Sequence, residues 1–105
     1  MRNRKVNMIE HQVWFKLRDG WTPEDAATLK RELLALQSKI DGIEYAAAGL
    51  DISGRSRGFE FGYIARFATR EAYDAYGPHP EHDAFIAANK HIWQDVMALD
   101  YSIED

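Results

Sequence analysis

The chain has 105 residues, 46% of them apolar and 12% aromatic, with a formal net charge of −4. That length fits one globular domain with a modest core, and the negative balance argues against nucleic acid as a partner. With no cysteine in the chain, disulfides, thiolate catalysis and cysteine zinc sites are excluded, and a reducing cytoplasm is the expected location.

Met1-Arg2-Asn3-Arg4-Lys5 is basic, but no apolar stretch follows it, so it does not read as a secretory signal. No run approaches the roughly 20 apolar residues of a membrane span, and no membrane partner is expected. Residues 1–7 are expected to be a flexible extension, and 8–105 to form the domain.

From Ile9 to Leu17 the chain alternates with period two. Ile9, His11, Val13, Phe15 and Leu17 share one face, which predicts a strand with one buried side. Trp14 lies on the other face with Glu10, Gln12 and Lys16, which suggests that this side is also partly covered. Thr22-Pro23-Glu24-Asp25 opens a helix with a cap, a first-turn proline and acids at the positive end. Leu29, Leu33, Leu36 and Ile40 recur at helical spacing, and Asp41-Gly42 stops the run.

Ile43 to Ile52 reads as a second strand, weakened by alanines and Gly49. Ser53-Gly54-Arg55-Ser56-Arg57-Gly58 reads as a hairpin loop, and Phe59 to Phe67 as a third strand. Thr69 caps a short helix through Tyr76. Tyr76-Gly77-Pro78-His79-Pro80-Glu81-His82 then forms a corner stiffened by two prolines. A further helix is expected from about Pro80 to Val96 and a last strand from Met97 to Ile103.

Strand, helix, strand, strand, helix, strand is the ferredoxin-like α+β pattern, with one antiparallel sheet and helices on one face. The opposite face must meet water or a partner. Trp14 and Ile64 on that side, with Leu99 or Tyr101, predict a homodimer that packs sheet against sheet.

The corner carries two of the four histidines. His79 precedes a proline and is expected at the N-cap. His82 falls in the first turn, on the face of Phe85, Asn89, Ile92 and Trp93, which is the buried one. His91 points the opposite way, toward solvent. The helix N-terminus and burial both favour neutral imidazole, the form a general base requires, while Glu81 and Asp83 oppose this. Two readings remain: a base, or a histidine satisfied by a backbone carbonyl beside the core. Tyr76 is either an acid or oxyanion donor, or a packing aromatic.

His11 lies on the buried face of a central strand and needs a partner. Asp100 in the neighbouring strand supplies one, either as a structural pair or as the wall of a polar site. Pro80 spoils the His79–His82 spacing and no third ligand joins them, so no metal is expected. The Ser53–Gly58 loop lacks a following helix N-terminus and reads as a solvated hairpin tip, not a phosphate cradle.

Three segments together resemble the stress-responsive A/B barrel domain, the dimeric α+β barrel family abbreviated Dabb. They are the opening strand Met8–Leu17 with its histidine, the Ala75–His82 stretch with its tyrosine and His-Pro-x-His signature, and the terminal Leu99-Asp100-Tyr101. The resemblance implies dimerisation through the open sheet face and a small-molecule cavity between sheet and helices in each subunit. It implies no cofactor. In its polyketide-cyclase branch, Tyr76 and His82 would be the acid–base pair. His11 and Asp100 would belong to the same cavity, which Phe61, Tyr63 and Trp93 would line; His79 is counted with these ligand-binding residues. Most members are small stress-linked proteins without an established reaction, and a non-catalytic binding role is the alternative.

Overall fold

A computed structural model describes residues 8–103; the expected extension at 1–7 lies outside the described residues. The elements run β1 (Met8–Leu17), α1 (Pro23–Lys39), β2 (Ile43–Leu50), β3 (Phe61–Phe67), α2 (Arg70–Tyr76), α3 (Pro80–Asn89), a 3-10 turn (Lys90–Ile92) and β4 (Trp93–Ile103). The sheet order is β2-β3-β1-β4 with every neighbouring pair antiparallel. This is the expected ferredoxin-like arrangement.

Local chemistry explains the helix starts. The Thr22 hydroxyl accepts from the Asp25 backbone N–H at 3.1 Å, and the Asp25 carboxylate accepts from the Thr22 N–H at 3.0 Å. This reciprocal box satisfies two donors that a helix start otherwise leaves free. Thr69 caps α2 in the simpler way, accepting from the Ala72 N–H. Leu29, Leu33 and Leu36 of α1 are buried against Phe15, Leu17, Phe61 and Phe67 of the sheet. Strand β3 alternates strictly, with Phe61, Tyr63, Ala65 and Phe67 buried.

Two boundaries differ from the sequence reading. The last helix ends at Asn89, not near Val96, and Trp93 is the first residue of β4. The cause is tertiary: β4 pairs with β1 along its whole length, from Met8 opposite Ile103 to Leu17 opposite Trp93. A ladder of that length outweighs the local helical pattern of 90–96. The hairpin loop is also wider than expected, because β2 stops at Leu50 and β3 starts at Phe61.

The face away from the helices is rich in apolar side chains. Trp14, Tyr45, Met97, Leu99 and Tyr101 are each between 43% and 59% exposed. Register places Trp14 opposite Met97 and Glu10 opposite Tyr101. Glu10 is only 4% exposed there. Its carboxylate accepts from Arg66 Nε at 2.8 Å, Gln12 Nε2 at 2.7 Å and the Tyr101 hydroxyl at 2.7 Å. These bonds hold its carboxyl below the usual carboxylate range, those from Gln12 and Tyr101 foremost. Among the described residues, no helix is long and apolar enough to cross a membrane.

Gly42 closes α1 at φ +100°, and a Cβ there would sit 2.5 Å from the Ala72 Cβ. Backbone strain and a clash between two fixed groups coincide. Gly42→Ala should therefore destabilise the domain by about 1–3 kcal/mol in chemical denaturation. An unchanged midpoint would show that the α1–β2 turn and α2 are not packed this closely.

Candidate functional site

Five elements converge at one end of the helix-covered face. Strand β1 turns His11 inward, and β4 sets Asp100 directly opposite it. The His11 Nδ1 lies 2.7 Å from Asp100 Oδ1. The second carboxylate oxygen accepts from the Tyr73 hydroxyl at 2.6 Å. Asp100 is thus held from two sides, by the His11 ring and by the Tyr73 hydroxyl.

The chain of contacts continues through rings. His11 packs edge-on against Tyr76 at 5.3 Å between centroids and against Tyr63 at 6.2 Å. Tyr76 lies 4.7 Å from His82. Phe67 supports both Tyr73 and Tyr76 from behind. Residues from β1, β3, α2, α3 and β4 thereby form one continuous polar and aromatic cluster.

Burial sets the protonation states. It pushes the His82 imidazole below its ordinary value; the Gly77 carbonyl pulls the other way, and a charge on His11 adds to the lowering. Burial, followed by the Tyr63 phenol and Asp100, pushes the Tyr76 hydroxyl far up, so it stays protonated. Tyr63 is raised for the same first reason. Hydrogen bonding to Asp100 raises Tyr73. Two buried polar atoms here have no partner among the described groups: His82 Nδ1 and the Tyr63 hydroxyl. The Tyr63 and Tyr76 hydroxyls are close enough to perturb each other, but no well-formed hydrogen bond satisfies Tyr63.

The other expected residues lie elsewhere. His79 caps α3, its Nδ1 accepting from the Glu81 N–H at 3.0 Å. Phe61 and Trp93 belong to a second aromatic group with Phe15 and Phe85. Phe61 stands four residues along β3 from Ala65, the residue opposite His11. His91 is exposed. Tyr73 joins the cluster through Asp100 without being among the residues expected from the sequence. Its i, i+3 spacing from Tyr76 puts both on one face of α2, which was a usable signal.

Two open concavities lie away from the cluster. One of about 710 Å³ sits on the open sheet face beside the 51–60 loop, and a groove of about 200 Å³ runs between α1 and α3. Neither is lined by His11, Tyr76, His82 or Asp100. Among the described residues, no group of three His, Cys, Asp or Glu is placed to hold a metal ion.

Comparison with known sequences settles the family. The profile of the stress responsive A/B barrel domain matches residues 9–103. The chain belongs to that family. Solved structures agree. A Dabb family protein with a ferredoxin-like fold from Mesorhizobium loti is 26% identical, with 90% of this chain and 95% of that one covered at TM-score 0.76. A dimeric ferredoxin-like protein of unknown function from Thermobifida fusca is 23% identical over 93% and 92%, at TM-score 0.79. The hydroxynitrile lyase of Passiflora edulis is 16% identical over 93% and 94%, at TM-score 0.82, and shares the fold. Among curated proteins, none matches.

For this Dabb domain the lowered His82 value gives a pH signature. Between that value and the ordinary 6.5, the unfolded chain binds a proton at His82 that the native state refuses. Stability should fall as pH drops below about 6.5 and approaches the lowered value. Glu10, held below 4.5, adds its own loss only in more acid solution. Urea midpoints at about pH 7, 6 and 5 measure the slope. His82→Gln should flatten it in this window; an unchanged slope would place the titration elsewhere.

Proposed function

We propose that this chain works as a homodimer, joined through the open sheet face, and that each subunit's polar cluster moves a proton on a small carbonyl compound without a resident cofactor. The observation that carries the reading is His82: a half-buried imidazole, held toward its neutral form, whose buried Nδ1 has no partner, packed against a phenol that burial keeps protonated. A base ready to accept beside an acid ready to donate is the pairing that enolisation needs.

In this reading the Gly77 carbonyl, which favours a protonated ring, accepts the ring N–H, and the unpartnered Nδ1 lone pair is the base. Nδ1 takes the proton from the carbon next to the carbonyl. The Tyr76 hydroxyl donates a hydrogen bond to the enolate oxygen that forms. The Tyr63 hydroxyl, also unpartnered, is a second donor in the same cluster. Asp100 fixes His11, which in this reading orients a further polar group of the ligand.

A second reading has its own support. Neither of the two concavities described above is lined by the cluster, which supports a reading in which the His-Pro-x-His corner serves as packing in a dimeric, non-catalytic binding protein. Dimerisation is common to both readings. It rests on the exposed Trp14, Met97, Leu99 and Tyr101 on one face and on relatives described as dimeric.

The deciding measurement is solvent deuterium uptake at the α-carbon of aryl alkyl ketones, followed by NMR. Uptake should fall roughly 10²–10⁴-fold in His82→Ala, and Tyr76→Phe should also be impaired. Thermal stability of His82→Ala should hold or rise, since an unsatisfied polar atom is removed. No uptake by the wild type, with His82→Ala destabilised by about 1–3 kcal/mol, would instead establish the packing role. Light scattering at micromolar concentration should give a dimer for the wild type and a monomer for Trp14→Lys. A monomeric wild type would refute the shared interface.

A further inference from the structure

The open sheet face is not uniform. Near the β2–β3 loop it sinks into the concavity of about 710 Å³, a volume within the range of small-molecule sites. The floor is bare for a definite reason. Gly49 and Gly62 stand opposite each other on β2 and β3, and a Cβ on either would meet nothing within 4 Å. Trp14 and Met97, themselves a cross-strand pair, give this floor an aromatic and a thioether wall. Arg55 and Arg57 line the same concavity from the loop.

The loop that carries the arginines is a built structure. The Asp51 carboxylate accepts from the Ser53 hydroxyl at 2.8 Å and the Gly54 N–H at 2.7 Å. The Ser53 hydroxyl in turn accepts from the Arg55 N–H at 3.0 Å. These bonds hold the Asp51 carboxyl below its usual range, the Ser53 bond first. Asp51 also lines the concavity and offsets part of the Arg55 charge at a distance. Neither arginine joins a salt bridge among the described residues. Two arginines share the lining with one carboxylate that is already engaged, so the rim is positive in a chain whose net charge is −4.

An apolar cup with a guanidinium rim selects its ligand by chemistry. The planar guanidinium fork matches a carboxylate, and the flat walls match an aromatic or branched apolar body. We propose that this concavity binds a small organic acid, with its carboxylate on Arg55 and Arg57 and its apolar body over the Gly49–Gly62 floor against Trp14 and Met97. The site shares no residue with the His82 cluster, so it stands whether or not that cluster is catalytic. A second copy packed on the open face would roof it.

The test uses 2-naphthoate as probe and 2-naphthylmethanol as its uncharged counterpart, titrated into the full chain by calorimetry. The wild type should bind naphthoate, and the Arg55→Gln/Arg57→Gln double variant should bind it roughly tenfold or more weakly, with the alcohol weak for both. Gly62→Leu places a side chain in the cup and should block naphthoate; circular dichroism confirms that each variant is folded. Four results with these ligands and variants would overturn the proposal, and a fifth follows from His82→Ala. The four are no naphthoate binding by the wild type at millimolar concentration, equal affinity in the double variant, equal affinity for the alcohol, or undiminished binding in folded Gly62→Leu. Loss of naphthoate binding in His82→Ala would also overturn it, by placing the ligand inside the subunit.

Discussion

Strand β1 is hydrogen-bonded on both sides, to β3 and to β4, and every side chain on it is thereby committed to one face. His11, Val13 and Phe15 point to the helices; Glu10, Gln12 and Trp14 point away. Most of what distinguishes this domain depends on that commitment. The inward set starts the polar cluster at His11 and continues into the core at Phe15. The outward set starts the Glu10 network and the apolar wall at Trp14. A slip of one residue in this register would exchange the two sets and bury the wrong groups.

The inner face is graded along β1. At one end Phe15, Phe61, Phe85 and Trp93 make an apolar group. At the other, His11, Tyr63, Tyr73, Tyr76, His82 and Asp100 make a polar one. Burial acts on both ends alike, but only at the polar end does it change chemistry. There it holds imidazole neutral and phenol protonated, and leaves His82 Nδ1 and the Tyr63 hydroxyl without partners. An unpaired buried polar group is unfavourable. Its retention beside a stiff proline corner is the observation on which the proposed ligand site rests.

The outer face solves a different problem. Its edge of exposed Trp14, Met97, Leu99 and Tyr101 surrounds a carboxylate, Glu10, that is fully hydrogen-bonded. A satisfied carboxylate within an apolar surface allows that surface to be covered without stranding a charge. The Gly49–Gly62 pair leaves a hollow beside it, and the 51–60 loop brings positive charge to the hollow's rim.

The sequence by itself determined the element order, the two helix starts, the facing of β1 and β3, and the His11–Asp100 pairing. Those follow from short-range rules: period-two alternation, capping chemistry, and proline's fixed backbone. The inward turn of His82 and the capping role of His79 were legible for the same reason. Only the tertiary structure decided where α3 yields to β4, because the length of the β1–β4 ladder is a long-range property that the local pattern of 90–96 contradicts. Likewise, only packing could separate Phe61 and Trp93 from the histidine cluster, recruit Tyr73 to Asp100, and leave His82 Nδ1 unpaired. Each depends on distances between elements remote in the chain, which no local spacing encodes.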